Sequence, residues 1–358
     1  MLKRILFFFT AFALSVFFFA FPLSADAVGT AIGDADGALP ESVREYGLSA
    51  EDTSEFLELK NVFSLLLKAV GAAFGNALAP FGLTVALLVA LYILEAICRD
   101  RNDALMKTLC TVAVFGTAAT AFFPVFDTSS SLKSAVDDVC AFGQSLFPVL
   151  LSCVCASGKT AAASAASVSA GALFSSLSFV GTELVVPLVN TFFAVGVSSS
   201  VLSNGSLYSL SKTLKKICVS VLGVCSLIFS LVMGAQQLLA SSADATSVRA
   251  AAYAVGNGIP VVGGSIGESM SAVMASAEAI AKNVGAFGCV AVVCILFSPL
   301  VTVGVLWLLS SVSGAIAEML GLDRMRRFFS VICDAYAIVA ALAASIGVLV
   351  IISLGLVI

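Results

Sequence analysis

The residues best suited to unusual chemistry fall between 253 and 282. Tyr253-Ala254-Val255-Gly256-Asn257-Gly258-Ile259-Pro260-Val261-Val262-Gly263-Gly264 interrupts a chain otherwise made of apolar helical runs. Pro260 has no amide proton to donate and restricts Ile259 to extended conformations. The glycines at 256, 258, 263, 264 and 267 remove the steric penalty on unusual backbone angles. A continuous helix cannot run through such a stretch. Two carboxylates follow it, Glu268 and Glu278, and the second can pair with Lys282 at i,i+4. Broken backbone at membrane depth must be buried in protein or line water, and ion-coupled carriers use paired broken helices together with ionisable groups at mid-depth. Asn257, Gly258, Pro260, Gly263, Gly264, Glu268 and Glu278 are therefore the candidate functional residues, with an ordinary outer loop and packed helix as the plainer reading.

Other chemistry is poorly served. The chain has no histidine, which removes the usual general base and the commonest metal ligand. Ten cysteines are present, none in a CxxC, and Cys153 and Cys155 would point apart on a helix or strand. They read as small packing residues rather than a disulfide or metal set. No phosphate-binding loop, nucleophile elbow or metalloprotease signature occurs. The expectation is a protein that is not an enzyme and holds neither cofactor nor metal, with nothing to suggest nucleic-acid binding. For transport, Glu95, Glu183 and Asp334 are ionisable but sit near expected span ends, where each can reach headgroup water. Asn190, Gln236 and Gln237 are the polar residues best placed within the bundle, and the break has no counterpart in the first half of the chain.

The elements that must position these groups are membrane helices. Of 358 residues, 60% are hydrophobic and 11% charged, against about 25% charged in soluble domains. Lys3 and Arg4, an apolar run to Phe21 and Ala25-Asp26-Ala27 form a signal-peptide pattern over 1–27, with an uncleaved anchor as the alternative. Residues 28–76 follow as an acidic extracytoplasmic segment whose Phe56, Leu59, Phe63, Leu66, Leu67, Val70 and Phe74 recur at helical spacing. The multi-pass domain is 77–358. A spanning helix needs about 20 largely apolar residues, and eight runs qualify: 77–97, 105–126, 139–157, 161–181, 184–203, 217–240, 285–313 and 332–357. The fourth is nearly all Ala and Ser, which suits a helix inside the bundle or in a homo-oligomer interface. The outer insertion is 242–283, and the segment near 257–283 is expected to be broken or re-entrant. The fold class is thus an all-α, polytopic membrane helix bundle.

Charge tests this order. With the start outside, the inner connections carry Arg99, Arg101, Lys107, Lys159, Lys212, Lys215, Lys216, Arg324, Arg326 and Arg327. The outer ones carry only Lys133, Arg249 and Lys282 among basic residues, together with Asp127, Asp137, Asp138, Glu183 and Asp244. Ten basic residues inside against three in the outer loops obeys the positive-inside rule. The N-terminal segment and the C-terminus are then both extracytoplasmic.

Four features together resemble the stage III sporulation protein AE family of endospore-forming bacteria. They are the signal and acidic segment, the Lys212-Thr213-Leu214-Lys215-Lys216 cluster, Asn257-Gly258-Ile259-Pro260-Val261-Val262-Gly263 with its following helix, and Asp323-Arg324-Met325-Arg326-Arg327 before an apolar tail. The likeness covers about 60–358. It implies a component of a channel or secretion-like complex in the mother-cell membrane around the forespore, needed for forespore gene expression after engulfment. The implied partners are the other stage III sporulation membrane proteins and the lipid bilayer. The resemblance implies no catalytic residues. A stand-alone small-molecule or ion transporter is the competing reading.

Overall fold

The structure is a computed structural model, and it describes residues 39–40, 59–98, 103–202, 205–258 and 263–357. Among these, all the regular structure is helical. The helices are α1 (Leu59–Cys98), α2 (Asp103–Ala156), α3 (Thr160–Ser178), a π-helical turn (Phe179–Val185), α4 (Val186–Leu202), α5 (Gly205–Gly258), α6 (Gly263–Met319) and α7 (Asp323–Val357). Among the described residues, six helical segments are long and apolar enough to cross a membrane: Leu67–Ile97, Thr111–Ala156, Phe174–Ser200, Ser206–Val232, Met274–Met319 and Asp323–Gly355. The signal-peptide pattern and most of the acidic segment lie outside the described residues. Leu39, from that segment, is buried in the main core.

Six segments stand where eight runs were expected, because two pairs of runs are joined. Runs 105–126 and 139–157 lie within one unbroken helix, α2, although Pro124 and Pro148 fall inside it. Runs 161–181 and 184–203 are joined through the π turn, whose flanking residues Ser178 and Val186 keep right-handed helical angles. Likewise, α1 passes through residue 76 without a break. The stretch 127–138, which reads as a connection because it holds four charges, contains no glycine or proline to stop a helix.

Two tight turns close the hairpins that bracket this core. After α2, the amide of Lys159 donates to Val154 and that of Gly158 to Cys155, with Gly158 at φ 90°. After α6, Leu322 donates to Ala317 and Gly321 to Glu318, with Gly321 at φ 75°. Each is a Schellman closure, which needs a left-handed residue and so favours glycine.

Contacts set the direction of each helix. The Thr117 hydroxyl of α2 donates to Met325 of α7, and Leu146 of α2 meets Leu354 of α7 around Gly288, so these helices run parallel. Going down α7, Phe329 faces Gly314, the Cys333 thiol donates to the Trp307 carbonyl, and Leu354 faces Gly288, so α6 is antiparallel. Gly181 beside Ile346 and Gly196 beside Val331 make the α3–α4 unit antiparallel to α7 as well. Lys215 of α5 reaches Asp334 of α7 at 2.6 Å, about equally far from the two helix starts. Helix α7 is the buried centre. Its Ala335, Tyr336, Ile338, Val339, Leu342, Ala343 and Ile346 all lie in the core. Buried Cys140, Cys218 and Cys289 join that core as small apolar side chains.

Candidate functional site

Uncharged stretches define the depth of the bundle. Residues 335–357 of α7, 283–317 of α6 and 217–243 of α5 carry no charged side chain. The contacts above bring these three stretches level with one another. The stretch on α7 is 23 residues long, about 35 Å of helix and enough for one crossing. Its midpoint is Ile346, whose Cδ1 lies 2.7 Å from where a Cβ on Gly181 would be. Val136 of α2 borders the same point. Helix α1 is offset: its Ala77, Pro80, Phe81 and Thr84 lie beside Leu306 and Ser313, at one end of the shared stretch.

At the level of Ile346 the α2–α3–α4 hairpin carries charge. Lys133 Nζ is 3.2 Å from Glu183 Oε1. One turn along, the Ser178 hydroxyl donates to Asp137 Oδ1 at 2.7 Å. Asp138 is half-buried beside Asp137, and Asp127 is exposed about three turns back. The π turn explains how one helix supplies both partners. Five residues of α-helix turn through about 500°, which would leave Ser178 and Glu183 about 140° apart. The wider turn, in which the Val186 amide donates to Gly181, brings both toward α2. Wide turns of this kind recur at functional sites, and charged groups at mid-membrane depth mark ion or substrate pathways. The sequence reading set Glu183 at the outer surface and missed this cluster. Its partners are 50 positions apart, so no local pattern exposes it.

A second polar feature lies nearer the Met319 end. Helices α1, α2, α6 and α7 border an open cleft of about 50 Å³ lined by Thr84, Thr120, Ser310, Ser313 and Tyr336 among apolar side chains. The Thr84 hydroxyl donates to the Pro80 carbonyl and that of Ser313 to Leu309. Between the cleft and the charged cluster, Ser129 is 3% exposed, and its Oγ has no hydrogen-bond partner among the described residues.

The described residues expected to set the topology gather at one end. Lys212 and Lys216 lie near the start of α5, Arg324, Arg326 and Arg327 near the start of α7, and Lys215 is held by Asp334. Lys212 also sits over the Tyr208 ring at 4.4 Å, and Arg326 bridges to Glu318 at 3.3 Å. Arg99 and Arg101 lie outside the described residues, between the adjoining ends of α1 and α2. Asp334, expected to meet headgroup water, is instead paired with Lys215. Lys159, expected on the side of these clusters, lies at the opposite end of the bundle and binds Glu278 at 3.3 Å. Joining two pairs of runs removes two crossings, so Lys159 changes ends while the other clusters stay together.

Of the residues around the break, Asn257 and Gly258 end α5, and Gly263 and Gly264 open α6. Pro260 lies outside the described residues, as does the side chain of Glu268. The stretch after the break is continuous with the following span, since α6 runs unbroken from Gly263 to Met319. Glu278 lies about two turns beyond the level of the α7 end and is shared by Lys159 and Lys282, the latter at 3.5 Å. The structure thus separates the break from the charged hairpin and brings only Glu278 into a described ion pair.

Comparison with known proteins identifies a family. The family model for stage III sporulation protein AE matches residues 43–358. A protein from Bacillus subtilis (strain 168) named stage III sporulation protein AE is 25% identical over 187 residues, which is 52% of this chain and 47% of that one. The chain therefore aligns with about half the length of that relative. No solved structure matches. With six helices apolar enough to cross a membrane and the family pattern running from residue 43 to the end, the chain belongs to the stage III sporulation protein AE family.

Proposed function

We propose that this chain is a non-catalytic membrane component of the channel or secretion-like complex that links mother cell and forespore and sustains forespore gene expression after engulfment. The observation that carries the reading is the family match over residues 43–358. In this reading the protein sits in the mother-cell membrane around the forespore, with other stage III sporulation membrane proteins as partners. The end bearing Lys212, Lys216, Arg324, Arg326 and Arg327 faces the mother-cell cytoplasm, as the positive-inside rule favours. The N-terminal segment, the break at 257–264 and the C-terminus then face the space between the two membranes. Deleting the gene in its host is expected to stall sporulation after engulfment, with forespore reporter expression lost and restored by the intact gene. Normal spore counts in the deletion strain would overturn the reading.

A stand-alone carrier is the second reading, favoured by the Lys133–Glu183 pair level with the middle of an uncharged span. Uptake or efflux by the purified protein alone in liposomes would support the carrier and count against a need for partners.

A further inference from the structure

The outward faces of this bundle are of two kinds. On α1 and α5 many exposed side chains are large and apolar, Leu83, Ile93, Leu227 and Leu231 among them. Such faces suit lipid. The α2–α3–α4 hairpin differs. Level with the same uncharged stretch of α7, its exposed side chains include Ser130, Ser134, Gln144, Ser175 and Glu183, beside the apolar Phe179 and Leu184. Lys133 and Glu183 keep 40% and 58% of their side-chain surface open. A charge facing hydrocarbon at the bilayer centre is strongly unfavourable, and such groups normally face the bundle interior or water. A row of hydroxyls and amides there also gains nothing from lipid, which offers no hydrogen bonds.

We infer that this hairpin face lines an aqueous passage through the membrane and that the passage takes small hydrated cations. The preference follows from charge: Asp127, Asp137, Asp138 and Glu183 face a single lysine, Lys133, along the hairpin. Rings of carboxylates select cations in the same way. Small hydroxyl side chains leave room for water beside the helix, and the Lys133–Glu183 pair needs that water to offset the loss of bulk hydration. The inference does not depend on the sporulation role and can fail or stand separately from it.

The test is thiol labelling of the full chain in membrane vesicles from sporulating cells. Single cysteines are placed in a background whose native cysteines are replaced, and each variant is first checked for spore formation. The thiolate is the reactive form, and lipid suppresses it. A membrane-impermeant quaternary-ammonium thiosulfonate should therefore label Ser130→Cys, Ser134→Cys and Ser175→Cys roughly tenfold faster than Leu83→Cys and Leu227→Cys. An anionic thiosulfonate should label the same three hairpin positions more slowly than the cationic one. Hairpin cysteines as slow as Leu227→Cys would overturn the aqueous passage. Equal rates with both reagents would overturn its preference for cations.

Discussion

Replacing Lys133 by methionine is expected to destabilise the isolated chain in lipid nanodiscs by about 2.5–3.5 kcal/mol, and removing Glu183 as well should recover most of the loss. The geometry sets both parts. Lys133 Nζ lies 3.2 Å from Glu183, and Asp137 is one turn away on the same helix. Without the ammonium, three carboxylates, Asp137, Asp138 and Glu183, remain level with the middle of an uncharged span. No other chain shields the open face of the hairpin in a nanodisc, so the unpaired charge meets lipid. Replacing both members by apolar residues removes the charge together with its partner, which is often neutral or stabilising. The measurement is a double-mutant cycle by equilibrium unfolding, with Lys133→Met, Glu183→Met and the pair together. An ordinary surface pair would give a coupling of only about 0.2–1 kcal/mol. A coupling that small would remove the mid-depth argument.

Gly196→Val is expected to lower stability by about 1–3 kcal/mol through overpacking, reduced by at most about 1 kcal/mol from better helix propensity. A Cβ at 196 would overlap Val331, meeting Cγ2 at 3.1 Å and Cβ at 3.2 Å and lying closer still to Cγ1. Val331 is β-branched and has few rotamers with which to yield. Helix α4 must therefore move away from α7, the most buried helix of the bundle. Thermal unfolding in detergent checks the loss. Gly196→Ala combined with Val331→Ala should be markedly more stable than Gly196→Ala alone, because the second change makes room for the first. If Gly196→Val melts with the wild type, the close approach of α4 and α7 is not real.

Much of this was legible in the chain itself. Composition marks membrane helices, and the clusters at 212–216 and 324–327 do lie at one end of the bundle. The family pattern extends through the final helix. The misreadings share one cause. A hydropathy window counts the charges at 127–138 as a connection, because Glu183, the partner of Lys133, lies far along the chain. Pairing across the hairpin lets α2 continue through its charged middle, and the same joining carries Lys159 to the other end. The π turn at Phe179–Val185 leaves no mark in composition, since it differs from an α-helix only in closing over one more residue. The break expected around Pro260 falls on residues 259–262, outside the described residues.

The central claim is that the bilayer centre passes through Ile346 and hence through the Lys133–Glu183 pair. Leu227 of α5 is exposed on an apolar face, and the Lys215–Asp334 contact sets it at the same level. The chain's one tryptophan is Trp307, so Trp307→Phe combined with Leu227→Trp moves the probe to that depth. Tryptophan fluorescence is then measured in bilayers whose lipids carry bromine either near the headgroup or near the chain end. The account predicts strongest quenching by the chain-end bromines. Strongest quenching by the headgroup-proximal bromines would contradict it.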